Sequence, residues 1–122
     1  MICAKPTDWK TTPMPLKRVH ISLDKTFSKE EIEYLKIGFI PKDMDHRWFM
    51  YWQDNSLYLH RSWVGVCIYV VNFTLKDDVY KATNIIVNRD PLEYSLIDDD
   101  KDRSTTLKLI KMLIVNNKNL KL

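Results

Sequence analysis

A chain of 122 residues is the length of one domain and can bury a hydrophobic core without disulfides or metals. Hydrophobic residues make up 45% and charged residues 29%, as in ordinary globular proteins, and a net charge of +3 is too small to mark a nucleic-acid binder. The only glycines are Gly38 and Gly65, which excludes a Gly-rich phosphate loop, since such loops need several glycines in one turn.

The opening stretch MICAKPTDWKTTPMP lacks the apolar core of a signal peptide, and no window reaches the roughly 20 apolar residues of a membrane helix. A cytoplasmic protein with no membrane partner is expected. Cys3 and Cys67 do not make a disulfide framework and suit a reducing compartment, with Cys67 a buried free thiol in an apolar run.

Residues 1–17 carry Pro6, Pro13 and Pro15 and are expected to form an extended arm, with Trp9 available to tie it down. From Arg18 to Leu23 the chain alternates, with Val19, Ile21 and Leu23 on one side, which predicts a strand at a sheet edge. Ser28-Lys29-Glu30-Glu31 matches a capping box, and Phe27 and Ile32 flank it as a hydrophobic staple. The helix should end near Ile37, because Gly38 suits the position after its end and Pro41 blocks continuation.

Arg47 to Gln53 places Trp48, Met50 and Trp52 on one face and Arg47, Phe49 and Tyr51 on the other. Asp54-Asn55-Ser56 is turn chemistry, and Leu57 to Arg61 resumes the strand pattern, so a hairpin is expected. Ser62 to Gly65 predicts a second turn, Val66 to Phe73 a buried strand, and Val79 to Val87 another after the break at 76–78. Residues 88–103 read as an irregular polar connection. Its Asp98-Asp99-Asp100 run, followed by Lys101 and Arg103, suits a solvated loop or the negative start of a helix. Leu107, Ile110, Leu113 and Ile114 recur at helical spacing, with Asp102 or Ser104 as the cap. The predicted fold is α+β: an arm over 1–17, then a single domain over 18–122. In that domain an antiparallel meander of three to five strands packs against a helix in the N-terminal half and a C-terminal helix.

His60-Arg61-Ser62-Trp63, where a strand meets a turn, is the strongest candidate site, together with Arg47. Arg61 can fork onto a phosphate or carboxylate, Trp63 can stack on a planar group, and His60 and Ser62 can hydrogen-bond. The structural alternative is that Arg61 lies on a Trp face as a cation–π pair and Trp63 covers the sheet end. A hydrolase using Ser62 and His60 has no Gly-x-Ser-x-Gly elbow to support it. His20, His46 and His60 show no metal-ligand spacing, so no metal is expected, and nothing calls for a cofactor. A stacking platform for single-stranded nucleic acid is disfavoured by Asp43, Asp45, Asp54, Asp77 and Asp78 nearby, and core packing accounts better for most of the rings.

Arg47-Trp48-Phe49-x-Tyr51-Trp52, a polar turn, Leu57-Tyr58-x-His60-Arg61-Ser62-Trp63, then Gly65-x-Cys67-Ile68-Tyr69 resembles a small bacterial domain associated with ADP-ribosylglycohydrolase and related ADP-ribose-processing proteins. The resemblance implies an accessory, ligand-recognising role beside such a hydrolase, and supplies no catalytic residue. The leading expectation is therefore a non-catalytic module. It would use Arg47, His60, Arg61, Ser62 and Trp63 to bind an ADP-ribose-like nucleotide or an acidic segment of a partner. A small hydrolase acting on a nucleotide or ADP-ribosyl bond, and an immunity or adaptor protein working by protein contact alone, stay open.

Overall fold

The computed structural model of the chain describes residues 2–120. After a short 3-10 turn at Pro6–Asp8, the elements run β1 (Arg18–Phe27), α1 (Lys29–Ile37), β2 (Trp48–Gln53), β3 (Ser56–Arg61), β4 (Cys67–Lys76), β5 (Val79–Asn88) and α2 (Asp99–Leu120). The five strands form one antiparallel sheet in the order β1-β5-β4-β3-β2, so the fold is α+β with β1 at an edge.

Two hairpins follow from local chemistry. Asp54 and Asn55 adopt φ of 51° and 61°, and Asp77 and Asp78 adopt 52° and 62°. Paired positive φ at both central residues makes a turn whose twist matches the strands it joins, and Asp and Asn tolerate that region better than bulkier residues.

The capping box forms as its residues require. Ser28 Oγ accepts from the Glu31 amide at 3.1 Å, and Glu31 Oε1 accepts from the Ser28 amide at 2.9 Å. Phe27 and Ile32 are both buried. Gly38 then ends α1 at φ 71°, where a Cβ would lie 2.4 Å from the Met50 carbonyl oxygen. That close approach lets Phe39 and Met50 exchange two backbone hydrogen bonds of 2.9 Å, which fastens the chain after α1 to the outer side of β2.

Alternation sorts the side chains between two faces. Trp52 of β2, Leu57 and Leu59 of β3, Tyr69, Val71 and Phe73 of β4, and Ile85 and Val87 of β5 pack with Ile32 and Leu35 of α1 and with Ile110 and Leu113 of α2. Phe49 and Tyr51 face the other way and pack with Ala4, Trp9 and Tyr58, so the arm covers part of the second face. Hydrogen bonds hold the arm along its length: Ala4 amide to Ile37 carbonyl at 2.8 Å, Trp9 Nε1 to Ser62 carbonyl at 2.7 Å, Thr12 amide to Gly65 carbonyl at 2.8 Å, and Arg89 amide to Lys17 carbonyl at 2.9 Å.

Three elements extend well beyond their expected bounds, β4 among them, which continues past Phe73 to Lys76. β1 continues past Leu23 to Phe27 through a one-residue bulge between Ser22 and Lys25. The polar Asp24-Lys25-Thr26 stretch hides this continuation from a pattern search. α2 begins at Asp99 rather than near Asp102 or Ser104, because Asp98 Oδ1 accepts the Lys101 amide at 3.1 Å and caps the helix. The acidic run is thus the cap and first turn of α2, where carboxylates complement the helix dipole.

Candidate functional site

The helix-facing side of the sheet opens, at the end of β3, into a cleft of about 770 Å³. One wall comes from Arg47, Trp48, Arg61 and Trp63, the floor from Tyr69 and Tyr94, and the opposite wall from Glu93, Ser95 and Leu96 of the connection after β5 and from Thr105 of α2.

Arg61 is the last residue of β3, and strand parity turns it to the same face as Leu57 and Leu59. Its amide donates to the Val66 carbonyl at 2.8 Å, and its carbonyl accepts the Gly65 amide at 2.8 Å. The guanidinium lies over Trp48 at 4.7 Å from the ring centroid, and Trp48 stacks in turn on Tyr69 at 6.0 Å. The expected cation–π pair therefore exists, with Trp48 as its ring. Trp63, at the turn between β3 and β4, is 70% exposed and donates from Nε1 to the Met44 carbonyl at 3.2 Å. Arg47 sits beside this wall, its carbonyl accepting the Ser62 amide at 2.9 Å. Among the described residues neither Arg47 nor Arg61 takes part in an ion pair.

Beneath the tyrosines lies a buried polar network that sequence reasoning missed. Asp102 has no solvent exposure. Its Oδ1 accepts from Tyr69 at 2.9 Å and from Tyr94 at 2.7 Å, and its Oδ2 takes Arg89. The two phenolic oxygens stand 2.9 Å apart. Three oxygens thus form a triangle with two phenolic protons between them, so one side carries no hydrogen. Burial, followed by the effects of Tyr94 and Asp102, pushes the Tyr69 phenol far above its ordinary value. Tyr94 is pushed up to about 12, chiefly by burial and also by Asp102, with the hydrogen bond to Tyr69 and, more weakly, the Arg61 charge pulling the other way. Both phenols are therefore protonated donors at neutral pH. Burial works against the Arg89 charge, but hydrogen bonds and attraction from Asp102 and Asp99 outweigh it and hold the guanidinium above its ordinary value. A signal for the network was present in the sequence. Asp102, Thr106, Ile110, Leu113 and Asn117 form one buried helical stripe, so a carboxylate continues the apolar face of α2.

Three of the five expected site residues, Arg47, Arg61 and Trp63, come together at the cleft. His60 and Ser62 do not. Adjacent strand residues point to opposite faces, so His60 turns away from Arg61, into the layer beneath the arm. It is 2% exposed, stacked on Tyr51 at 5.6 Å, with Nδ1 3.0 Å from the Gly65 carbonyl oxygen. If Nδ1 carries the proton, Nε2 is a buried lone pair, and it has no partner among the described residues. Ser62 is also buried and spends its hydroxyl proton on the His46 carbonyl at 2.7 Å. Its role is to brace the turn. No Ser62–His60 hydrogen bond exists for a nucleophilic pair.

Burial holds the His60 imidazole below its ordinary value of 6.5, against a smaller opposing pull from the Gly65 carbonyl. The unfolded chain then binds a proton near pH 6.5 that the folded chain accepts only at lower pH. Stability falls as pH drops through that window and is fully present above it. A lower urea midpoint is expected at about pH 5 than at about pH 7, with part of the difference removed in His60→Gln. An unchanged pH slope in that variant would assign the effect to other groups.

The remaining residues offer little chemistry. Burial pushes the Cys67 thiol up to about 12, which makes it inert at neutral pH. Tyr51 and Tyr58 stack at 4.8 Å beneath the arm and present no open platform. Among the described residues no group of His, Cys, Asp and Glu is placed to hold a metal, and no helix is long and apolar enough to cross a membrane.

Sheet, helices and cleft define an α+β protein with a cationic, aromatic recess at one end of its sheet. Comparison with protein-family models, curated proteins and solved structures finds no match.

Proposed function

We propose that the protein is a non-catalytic binding module whose cleft takes an anionic, partly planar ligand of the nucleotide class, such as ADP-ribose. One observation carries this reading: two guanidinium groups with no ion-pair partner among the described residues stand beside an exposed indole on one wall of a ligand-sized recess. Recesses of about 300–1,000 Å³ with a few convergent polar groups are typical of small-molecule sites. Arg47 and Arg61 supply charge for a phosphate, and Trp63 supplies a stacking face. In this role the protein stands beside an ADP-ribose-processing enzyme, delivering or sensing its ligand.

Thermal-shift titration with ADP-ribose, NAD and AMP tests the reading, because a ligand that favours the folded state raises the melting temperature. Arg61→Ala is expected to weaken binding by about 1.5–3 kcal/mol, the scale of a charged hydrogen bond. Because Arg61 also packs on Trp48, Trp63→Ala provides a control whose exposed ring contributes little to folding. No shift with any of the three compounds would remove the nucleotide reading.

A second reading is favoured by the rim. Met44, Trp63 and Val64 are 75%, 70% and 58% exposed. Trp beside Arg is the composition of protein-binding hot spots. An adaptor or immunity protein would seat an acidic partner segment on the same arginines and would ignore free nucleotides.

A further inference from the structure

A second cleft, of about 390 Å³, shares Arg47 and Trp48 with the first. It lies between β2 and the later turns of α2, and its lining differs in kind. Phe39, Met50, Leu109, Met112 and Leu113 make it predominantly apolar. Two of its polar side chains are engaged: His46 Nδ1 accepts the Lys42 amide at 3.1 Å, and Asn116 donates to Asn117 at 3.1 Å. Its one carboxylate, Asp45, would repel a further phosphate. One side of α2 serves both recesses, with Thr105 on the first and Leu109, Met112 and Asn116 on the second. At 1.5 Å per residue, that side spans about 16 Å, enough for a head group and a chain beyond it.

We infer that the ligand has two parts, resting on the reading above: an anionic, planar head in the first cleft and an apolar substituent that passes Arg47 and lies against Met112 and Leu113. Charge complementarity fixes the order, because Arg61 lines only the first cleft and the shared Arg47 stands between the two, while aliphatic side chains dominate the second. The chemical class is thus a nucleotide esterified or acylated with an apolar group, rather than a nucleotide extended by another sugar.

Calorimetric titration of the full chain with three probes tests this: AMP, octyl phosphate and the 5′-octyl phosphodiester of adenosine. The phosphodiester is expected to bind at least about tenfold more tightly than AMP, since burying only a few methylenes suffices for that gain. It should also bind more tightly than octyl phosphate, which lacks the planar group. Met112 is 57% exposed, so Met112→Gln should fold normally, and the ratio of phosphodiester to AMP affinity should fall toward one. Leu109→Gln provides an independent second variant of the same wall. If AMP binds but the octyl chain adds nothing, or its gain survives both substitutions, this inference is overturned and the nucleotide reading stands. If neither adenosine compound binds, both are overturned. Octyl phosphate binding as well as the phosphodiester would show that the planar group is not read, and would overturn both as well.

Discussion

Replacing Asp102 with Ala is expected to lower the unfolding free energy by about 3–5 kcal/mol, the range found when one partner of a buried ion pair is removed. Asp102 is completely buried and is the shared acceptor of Tyr69, Tyr94 and Arg89. Without it the Arg89 guanidinium, one-tenth exposed, keeps two long bonds of 3.4 Å to the Asn88 and Leu96 carbonyls and, among the described residues, a single ion-pair partner, Asp99, whose side chain is 63% exposed. Two phenolic hydroxyls also lose their acceptor at the floor of the cleft. Leaving buried polar groups unsatisfied costs more than the net value of the bonds themselves. Asp102→Asn keeps the shape and one acceptor but not the charge, so it should fall between wild type and Asp102→Ala. Urea unfolding monitored by the four tryptophans reads the effect directly. A loss below about 1 kcal/mol in the Ala variant would mean that water or relaxation replaces the network, and that the cleft floor is less rigid than its geometry suggests.

Gly65→Ala is the second large effect. Gly65 has φ of 76°, a left-handed conformation that costs a side-chain-bearing residue about 1–3 kcal/mol. Sterics add to that strain, because a Cβ would lie 2.4 Å from the Lys10 carbonyl oxygen and 3.1 Å from the Thr11 Cα. These are backbone atoms, so the methyl can be accommodated only by moving the arm. The same glycine accepts the Thr12 amide and contacts His60 through its carbonyl, and its amide closes the turn onto Arg61. The variant is expected to unfold at lower urea and to be cut faster by trypsin at Lys10 and Lys17. Gly65→Asn separates the two causes. Asn tolerates positive φ better than Ala, so an equally large defect assigns the damage to the clash. Unchanged cleavage of the arm in both variants would show that the contact with Lys10 does not hold it.

Much of the framework was readable from sequence because its signals are local. Ser28 to Glu31 carries its cap within four residues, the turn at Asp54-Asn55 uses residues that accept positive φ, and Trp48, Met50 and Trp52 alternate cleanly. The site was only partly readable. Arg61 and Trp63 stand out as a guanidinium and an indole at a strand end, and both reach the cleft. His60 was grouped with them by nearness in sequence, although its place on the strand turns it to the opposite face. The Tyr69–Tyr94–Asp102–Arg89 network was beyond local reasoning. It joins β4, the end of β5's connection and α2 over separations that no short pattern records, and Asp102 was masked by the aspartates before it.

The borders of the sheet have a consequence for crowded conditions. An unprotected outer strand is a template on which a second chain can grow toward fibrils. Here one border is closed by the Phe39–Met50 exchange and the other is kinked where β1 bulges at Ser22–Lys25. Neither side offers the long, flat ribbon that cross-β stacking requires, so concentrated solutions of the folded protein should resist ordered aggregation.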